Sequence, residues 1–262
     1  MSAQRGRPVD AGDRVAEGPT VHQRTEPLAA LCCPVPGPGP GVCRLCRGPC
    51  RAGFARCRGC SLILSQVSRP CHRVVPVSLY RVPGPLHLAL RRYKDGVAAA
   101  ARHHDAVVVG AILARFLFDH GPCLHRAAGG AWDLVTTVPS SRGRPGPHPL
   151  EDAISLVPWL AAQHRPLLER AGGPLGHGLA GDGAFSVRGP VRGARVLVVD
   201  DTWTSGARAQ SAAAALRWAG AEVPAVVVVG RVVDPLWDRR SAGYWSRHSA
   251  VPFDWSRCCL DP

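Results

Sequence analysis

The segment that most constrains the fold of this chain is the run V-L-V-V-D-D-T-W-T-S-G at residues 196–206. Its first four residues, Val196 to Val199, predict a strand that is buried on both faces, as in a parallel sheet. Two carboxylates, Asp200 and Asp201, follow this strand, and a short polar loop then leads into an Ala-rich helix predicted over Gly206 to Ala219. A strand, a loop and a helix in this order indicate an open α/β sheet, which binds ligands at the carboxyl ends of its strands.

The same alternation of strands and helices extends over much of the chain. Further strands are predicted over Val74 to Tyr80, Trp132 to Val138 and Val223 to Val229. Further helices are predicted over Pro85 to Tyr93, Val97 to Asp119 and Glu151 to Gln163, the last despite Pro158. The first strand contains Pro76, which predicts a short edge strand that is broken at that residue. Together these elements predict an α/β fold with a doubly wound, mostly parallel sheet.

Four regions are expected along the chain. Residues 1–31 lack a sustained period and predict a disordered leader, and residues 32–41 predict a Pro/Gly-rich linker; together they make up the region 1–41. Residues 42–72 hold a cysteine cluster. Residues 73–235 form the α/β domain, in which the Gly-rich stretch 171–190 is expected to be mobile. Residues 236–262 form a C-terminal extension, whose aromatic residues are expected to pack onto that domain.

Composition narrows the class of protein. An apolar fraction of 46% is enough for a packed core, and the odd number of cysteines, 11, does not suit a secreted disulfide scaffold. The longest apolar run, residues 106–118, is too short to span a bilayer, and no targeting signal is visible. We therefore expect a cytoplasmic protein without membrane insertion. The net charge of +13 comes almost entirely from arginine, which suits phosphate-bearing small molecules and nucleic acid equally well.

The cysteine cluster contains two C-x-x-C pairs. Cys43 and Cys46 form the first pair and Cys57 and Cys60 the second, with ten residues between the pairs. Four thiolates at this spacing are typical of a structural Zn²⁺ site, and so short a segment needs a metal in order to fold. The sequence thus predicts a zinc ribbon; the alternative is a set of unrelated cysteines in a Cys-rich leader.

The loop after Asp201 has the composition of a phosphate site. Thr204, Ser205 and Gly206 would offer backbone N–H groups and hydroxyls to a phosphate at the start of the following helix. Adjacent carboxylates would repel that anion, so Asp200 and Asp201 are expected to accept hydrogen bonds from sugar hydroxyls beside it. The alternatives are an N-capped turn without function, or the paired aspartates of a receiver domain. The second is disfavoured because only about sixty residues follow the pair.

This segment resembles the phosphoribosyl-pyrophosphate motif of type I phosphoribosyltransferases, in which a strand leads into Asp-Asp, two variable residues and Thr-Thr-Gly. Here the triplet is Thr204-Ser-Gly206, and Arg208 replaces a threonine. With the zinc ribbon, Tyr93-Lys-Asp-Gly96 and Phe185-Ser-Val187, the chain resembles the ComF family over roughly residues 43–232. That family pairs a zinc ribbon with a phosphoribosyltransferase domain and is associated with competence for DNA uptake.

The resemblance implies a set of roles. Asp200 and Asp201 would be the catalytic residues that bind the ribose; Thr202 and the triplet would complete the ribose 5-phosphate site. The loop at residues 139–142, which comprises Pro139, Ser140, Ser141 and Arg142, would hold pyrophosphate. Mg²⁺ would bind together with phosphoribosyl pyrophosphate. Trp203 would either stack on a ligand or close the loop against the sheet.

Two functions are compatible with these residues. The first is transfer of phosphoribose to an acceptor, with release of pyrophosphate. The second is a non-catalytic protein that senses phosphoribosyl pyrophosphate, or an accessory of DNA uptake, in which the basic ribbon contacts DNA or a DNA-uptake protein. The residues define neither the acceptor nor the oligomeric state.

Overall fold

The structure, a computed structural model, describes residues 20–140 and 148–260. Within these ranges the strands are β1 (Val74–Tyr80), β2 (Leu134–Thr137), β3 (Leu168–Arg170), β4 (Phe185–Val187), β5 (Val196–Trp203) and β6 (Val226–Val232). The α-helices are α1 (Val21–Thr25), α2 (Arg58–Gln66), α3 (Pro85–Asp95), α4 (Ala99–Ala128), α5 (Pro149–Ser155), α6 (Pro158–Gln163), α7 (Ala207–Trp218) and α8 (Arg239–Ser249).

The central sheet contains four strands in the order β1-β6-β5-β2, and all neighbouring pairs are parallel. Val226 of β6 lies opposite Val74 of β1 and Val198 of β5, so the apolar runs of the sequence meet in register. Because every strand runs in the same direction, their carboxyl ends lie at one edge of the sheet. The predicted α/β class with a mostly parallel sheet is confirmed.

Helices cover both faces of this sheet. On one face α3, α4, α5 and α6 pack on alternate residues of the strands, with Leu197 and Val199 of β5 fully buried among them. On the other face α7 packs on Val196 and Val198, together with the cysteine cluster and Phe185 of β4. The Ala-rich sequence of α7 follows from this contact, because small side chains let the helix lie close to the sheet.

Several elements differ from their predicted bounds, and in three of them the difference involves a proline. β1 runs unbroken through Pro76, since it is the edge strand, where proline is tolerated. α4 continues past Asp119 to Ala128 and contains Pro122, and its buried side extends to Leu124. The helix predicted over Glu151 to Gln163 is two helices, and Pro158 lies at the first positions of the second, where its missing N–H costs no hydrogen bond.

The leader is ordered in part. Residues 20–31 form α1 and a 3-10 helix (Glu26–Leu31), so the prediction of a disordered leader is wrong for this stretch. Leu28 and Leu31 pack against the core on the α4 side, and Arg115 of α4 donates to Thr25 Oγ1 at 2.8 Å. Short-range composition did not reveal these contacts because they join segments about ninety residues apart.

The C-terminal extension packs onto the domain as predicted for most of its aromatic residues. Tyr244 of α8 and Trp255 are buried, whereas Trp237 is 80% exposed. Among the described helices, α4 is long and apolar enough to cross a membrane by length and composition, but 67% of its most apolar window is buried inside the protein. It is thus a core helix of this fold.

Candidate functional site

The two carboxylates lie inside β5 rather than after it, because the strand pairs with β6 as far as Trp203. Successive side chains of a strand point to opposite faces. Asp200 therefore faces α7, like Val198, while Asp201 faces α3, like Val199. Both are buried, with exposed fractions of 4% and 0%.

Asp201 is held by α3. Its Oδ2 accepts a hydrogen bond from the Tyr93 hydroxyl and forms an ion pair with Lys94 Nζ, while its Oδ1 is buried without a hydrogen-bond partner among the described residues. Burial raises the pKa of Asp201, but the charge of Lys94 and hydrogen bonds from Lys94 and Tyr93 outweigh it and lower the pKa below its usual value. Burial and the charge of Asp201 raise the pKa of Tyr93, so this hydroxyl remains a neutral donor.

Asp200 has the opposite electrostatic environment. Burial, and then the negative charge of Asp201, raise its pKa; the charges of Arg208 and Lys94 oppose the shift without cancelling it. Its Oδ1 accepts the backbone N–H of Asp201 at 2.9 Å. The pair therefore places one ionised carboxylate under α3 and one easily protonated carboxyl at the wall of a cavity.

That cavity, which we call the loop cavity, has a volume of about 200 Å³ and lies between the end of β5 and the start of α7. Its walls are Leu175, Gly176, His177, Asp200, Thr202, Thr204, Ser205, Gly206, Ala207, Arg208 and Ala209. The N-cap residue of α7, Gly206, has no side chain to cap the helix, while the N–H of Ala207 donates to Ser205 Oγ at 3.4 Å. The remaining N–H groups at this helix start, beside Arg208, favour an anion.

The backbone of this loop depends on Gly206 and Trp203. Gly206 has a φ of 84°, which L side chains rarely adopt, and a Cβ at this position would overlap the Trp203 ring. Trp203 is 1% exposed and packs beneath the loop, so it closes the loop against the sheet rather than stacking on a ligand. Gly178 donates its N–H to Ser205 Oγ at 3.3 Å, which brings the Gly-rich stretch to the cavity mouth.

A second cavity of about 210 Å³, here called the basic cavity, shares Thr202 and Arg208 with the loop cavity. Its other walls are Tyr80, His87, Leu90, Arg91, Lys94, Asp95, Ser140, His148 and Pro149. These residues come from the ends of β1, β2 and β5, from one side of α3 and from the start of α5. Arginine, lysine and histidine give this cavity an excess of positive charge.

The predicted residues are brought together in large part. Asp200, Thr202, Thr204, Ser205 and Gly206 line the loop cavity, and Ser140 lines the basic cavity. Pro139 follows β2 but lines neither cavity. Asp201 lies on the opposite face of β5. The predicted Ser141 and Arg142 lie outside the described residues.

Sequence reasoning did not assign Arg91, Lys94, His87 or His148 to the site. The first two lie three residues apart near the end of α3, which places them on one side of a helix. That spacing was the available signal. The position of α3 over the strand ends could not be read from the sequence.

The four predicted cysteines form one cluster. The Sγ atoms of Cys43, Cys46, Cys57 and Cys60 all lie within 4.8 Å of one another. The Sγ atoms of Cys46 and Cys57 are 3.9 Å apart, close to the ~3.8 Å that a tetrahedron with Zn–S bonds of ~2.3 Å requires. This cluster is compatible with a structural metal such as zinc.

Arg231 links this cluster to β5. Its guanidinium donates to the Trp203 carbonyl oxygen at 3.2 Å, and its side chain also reaches the cysteine cluster. Burial lowers the pKa of Arg231, but the charge of Cys46 and a hydrogen bond with it outweigh this and raise the pKa. The cysteine cluster thus braces the end of the strand that carries the two carboxylates.

Comparison with known proteins adds no assignment: no family model, curated protein or solved structure matches this chain. What the site does chemically is therefore inferred from its own residues and from the local resemblance of the β5–α7 segment.

Proposed function

We propose that the chain binds phosphoribosyl pyrophosphate with Mg²⁺ and transfers its phosphoribosyl group to an acceptor, with release of pyrophosphate. The observation that carries the proposal is the loop cavity, where the buried Asp200 lies beside the start of α7, which carries Arg208. The fold proposed for residues 73–235 is that of a type I phosphoribosyltransferase, and the family proposed for the chain is ComF.

The 5-phosphate is assigned to the loop cavity. Ser205 and Gly206 offer backbone N–H groups there, and Thr204 and Ser205 add hydroxyls. Arg208 supplies a positive charge at the same helix start. A phosphate group matches these donors in charge and in number of acceptor oxygens.

The ribose is assigned to the end of β5. Asp200 faces the cavity and accepts a hydrogen bond from one ribose hydroxyl, and Thr202 lies between the two cavities. Asp201 is fully buried and lines neither cavity, and its Oδ2 holds Lys94 toward the basic cavity. Asp201 thus acts on the substrate by orienting a cation.

The pyrophosphate is assigned to the basic cavity, beside the loop at residues 139–142. Arg91, Lys94 and Arg208 supply the charge that stabilises this leaving group as the C1–O bond breaks. The two bonding electrons depart with pyrophosphate, and the acceptor then bonds to C1 and loses its proton. Mg²⁺ bound together with the substrate would neutralise part of the pyrophosphate charge.

The cellular setting follows from the same resemblance. We propose a cytoplasmic protein that acts in competence, with DNA or a DNA-uptake protein as a partner of its cysteine ribbon. We propose zinc as the metal of that ribbon.

A calorimetric titration with phosphoribosyl pyrophosphate and Mg²⁺ tests the binding step. At pH 8, where Asp200 with its pKa of about 7 is mainly ionised, wild-type protein is expected to bind. Asp200→Asn and Arg208→Gln are each expected to weaken binding by about tenfold or more, because a hydrogen bond to a charged group is worth ~1.5–3 kcal/mol. Trp237→Ala is the control, because this exposed side chain lies outside both cavities. Absence of binding by the wild type contradicts the proposal.

Release of pyrophosphate in the presence of nucleobases and amines tests the transfer step. Turnover supports the transferase. Binding without release of pyrophosphate from any acceptor of these classes favours the sensing protein instead.

A further inference from the structure

A second cluster of metal-ligating side chains lies far along the sequence from the four-cysteine cluster. His120 and Cys123 belong to α4, and Cys258 belongs to the C-terminal extension. One ligand atom from each of the three residues lies within 4.8 Å of the other two. An i, i+3 spacing on a helix places the first two side chains on one side, facing the extension.

The hydrogen bonding of His120 leaves the correct nitrogen for a metal. His120 Nε2 is 2.9 Å from the carbonyl oxygen of Trp255. A carbonyl only accepts, so Nε2 carries the hydrogen and Nδ1 presents its lone pair toward Cys123 Sγ at 3.8 Å. Metal-binding histidines commonly donate their other N–H to a carbonyl or carboxylate in this way.

The ring is fixed in this orientation by packing. His120 is 4% exposed, and its centroid is 4.9 Å from that of Phe116. Trp255, whose carbonyl accepts from His120, is buried in the same core. The nitrogen is therefore presented by a rigid residue rather than by a surface side chain.

The separation of the donor atoms fits a tetrahedral ion. Bonds of ~2.3 Å to sulfur and ~2.05 Å to nitrogen place the two ligand atoms about 3.6 Å apart at a tetrahedral angle. The observed 3.8 Å between Cys123 Sγ and His120 Nδ1 is about 0.2 Å longer than this value, and the 3.9 Å in the four-cysteine cluster is about 0.1 Å longer than its own. Arg126 donates to Cys123 Sγ at 3.7 Å, which places a positive charge beside this sulfur.

We propose that His120, Cys123 and Cys258 bind a second metal ion, a zinc that is independent of the four-cysteine cluster. Two thiolates balance the charge of the dication, imidazole is the third ligand and water completes the coordination. Binding displaces the two thiol protons into solvent. The ion fastens the C-terminal extension to the middle of the fold, where α1 and the 3-10 helix also pack on α4.

Metal analysis of protein purified under reducing conditions without chelator tests this site. Wild-type protein is expected to hold about two zinc ions per chain, and Cys123→Ser and Cys258→Ser about one each. Cys32→Ser is the matched control, because Cys32 is likewise half-buried against the same core but lies outside the cluster; it is expected to keep about two. Cys43→Ser is expected to keep about one.

Several results overturn the assignment. They are one ion per wild-type chain, two ions in both cluster variants, or loss of the second ion from the Cys32→Ser control. A disulfide between Cys123 and Cys258 in the reduced preparation, detected by peptide mass, also overturns it.

A cobalt titration of wild-type protein does not depend on the folding of any variant. Thiolate-to-cobalt absorption is expected to saturate at about two equivalents. Saturation at one equivalent contradicts the second site.

Discussion

Replacement of Asp200 by asparagine is expected to stabilise the folded chain without ligand, although the substitution removes a proposed substrate contact. Asparagine resembles the protonated carboxyl in shape and charge. Its Oδ1 can still accept the N–H of Asp201, which lies 2.9 Å from Asp200 Oδ1. The substitution therefore removes the buried charge and keeps the hydrogen bond.

The size of the effect follows from the raised pKa of Asp200. Burial, and then the charge of Asp201, raise this pKa from 3.8 to about 7. Because this pKa is higher in the folded than in the unfolded state, the folded protein binds the proton more tightly. The resulting stabilisation is complete below pH ~4 and is lost as the pH rises to 7. At ~1.4 kcal/mol per pKa unit, the loss is at most about 4 kcal/mol. Because the titrations of the two carboxylates are coupled, we expect Asp200→Asn to raise the free energy of unfolding by a smaller amount, about 1–3 kcal/mol, at pH 8.

Urea unfolding at pH 5 and pH 8 measures this gain. Asp200→Asn is expected to raise the free energy of unfolding at pH 8, and to raise it by less than half as much at pH 5. Asp201→Asn is the counterpart, because Asp201 is ionised and paired with Lys94. Asp201→Asn is expected to lower the free energy of unfolding by about 1–3 kcal/mol. This is less than the effect of breaking a fully buried ion pair, because the Lys94 side chain is 21% exposed. A destabilising effect of Asp200→Asn that is equal at both pH values would refute the electrostatic account.

Three further perturbations test other parts of the site. Gly206→Ala is expected to lower the free energy of unfolding by about 3 kcal/mol or more, because the overlap with the Trp203 indole adds to the ~1–2 kcal/mol cost of a left-handed φ. Gly189→Ala is the control: Gly189 has a φ of 76° with open space around it, so the substitution carries the φ cost alone. Equal losses of stability in thermal unfolding would contradict the overlap. Cys43→Ser is expected to lose the zinc proposed for the four-cysteine cluster and to make this segment sensitive to proteolysis. Cys50→Ser, outside the cluster, is expected to keep the metal. Retention of the zinc by Cys43→Ser would remove Cys43 from the ligand set. Arg208→Gln is expected to reduce affinity for inorganic phosphate several-fold in a competition titration, because it removes a charged donor from the loop cavity. Thermal stability is expected to change little, because this side chain is only half-buried. Unchanged affinity would place the anion elsewhere.

The parts of the fold that depend on local sequence were predictable. The apolar run before Asp200 and the Ala-rich segment after Gly206 correctly predicted a buried parallel strand and a close-packed helix. The spacing of the four ribbon cysteines correctly predicted their convergence. In each case the pattern and the structure it forms lie within a few tens of residues.

The parts that depend on contacts between distant segments were not predictable. Pairing with β6 extends β5 to Trp203, so the carboxylates lie on opposite faces of a strand instead of side by side in a loop. The ion pair of Lys94 with Asp201 joins residues more than one hundred positions apart. Likewise, nothing near His120 in the sequence indicates that Cys258 lies beside it.

A crystal structure of the wild-type chain with phosphoribosyl pyrophosphate and Mg²⁺ tests the central claim most directly. We predict the 5-phosphate within hydrogen-bond distance of the backbone N–H groups of Ser205 and Gly206, a ribose hydroxyl on Asp200, and pyrophosphate in the basic cavity beside Lys94. Crystals grown at saturating ligand that show the phosphate in another cavity, or no ligand at the end of β5, would contradict the account.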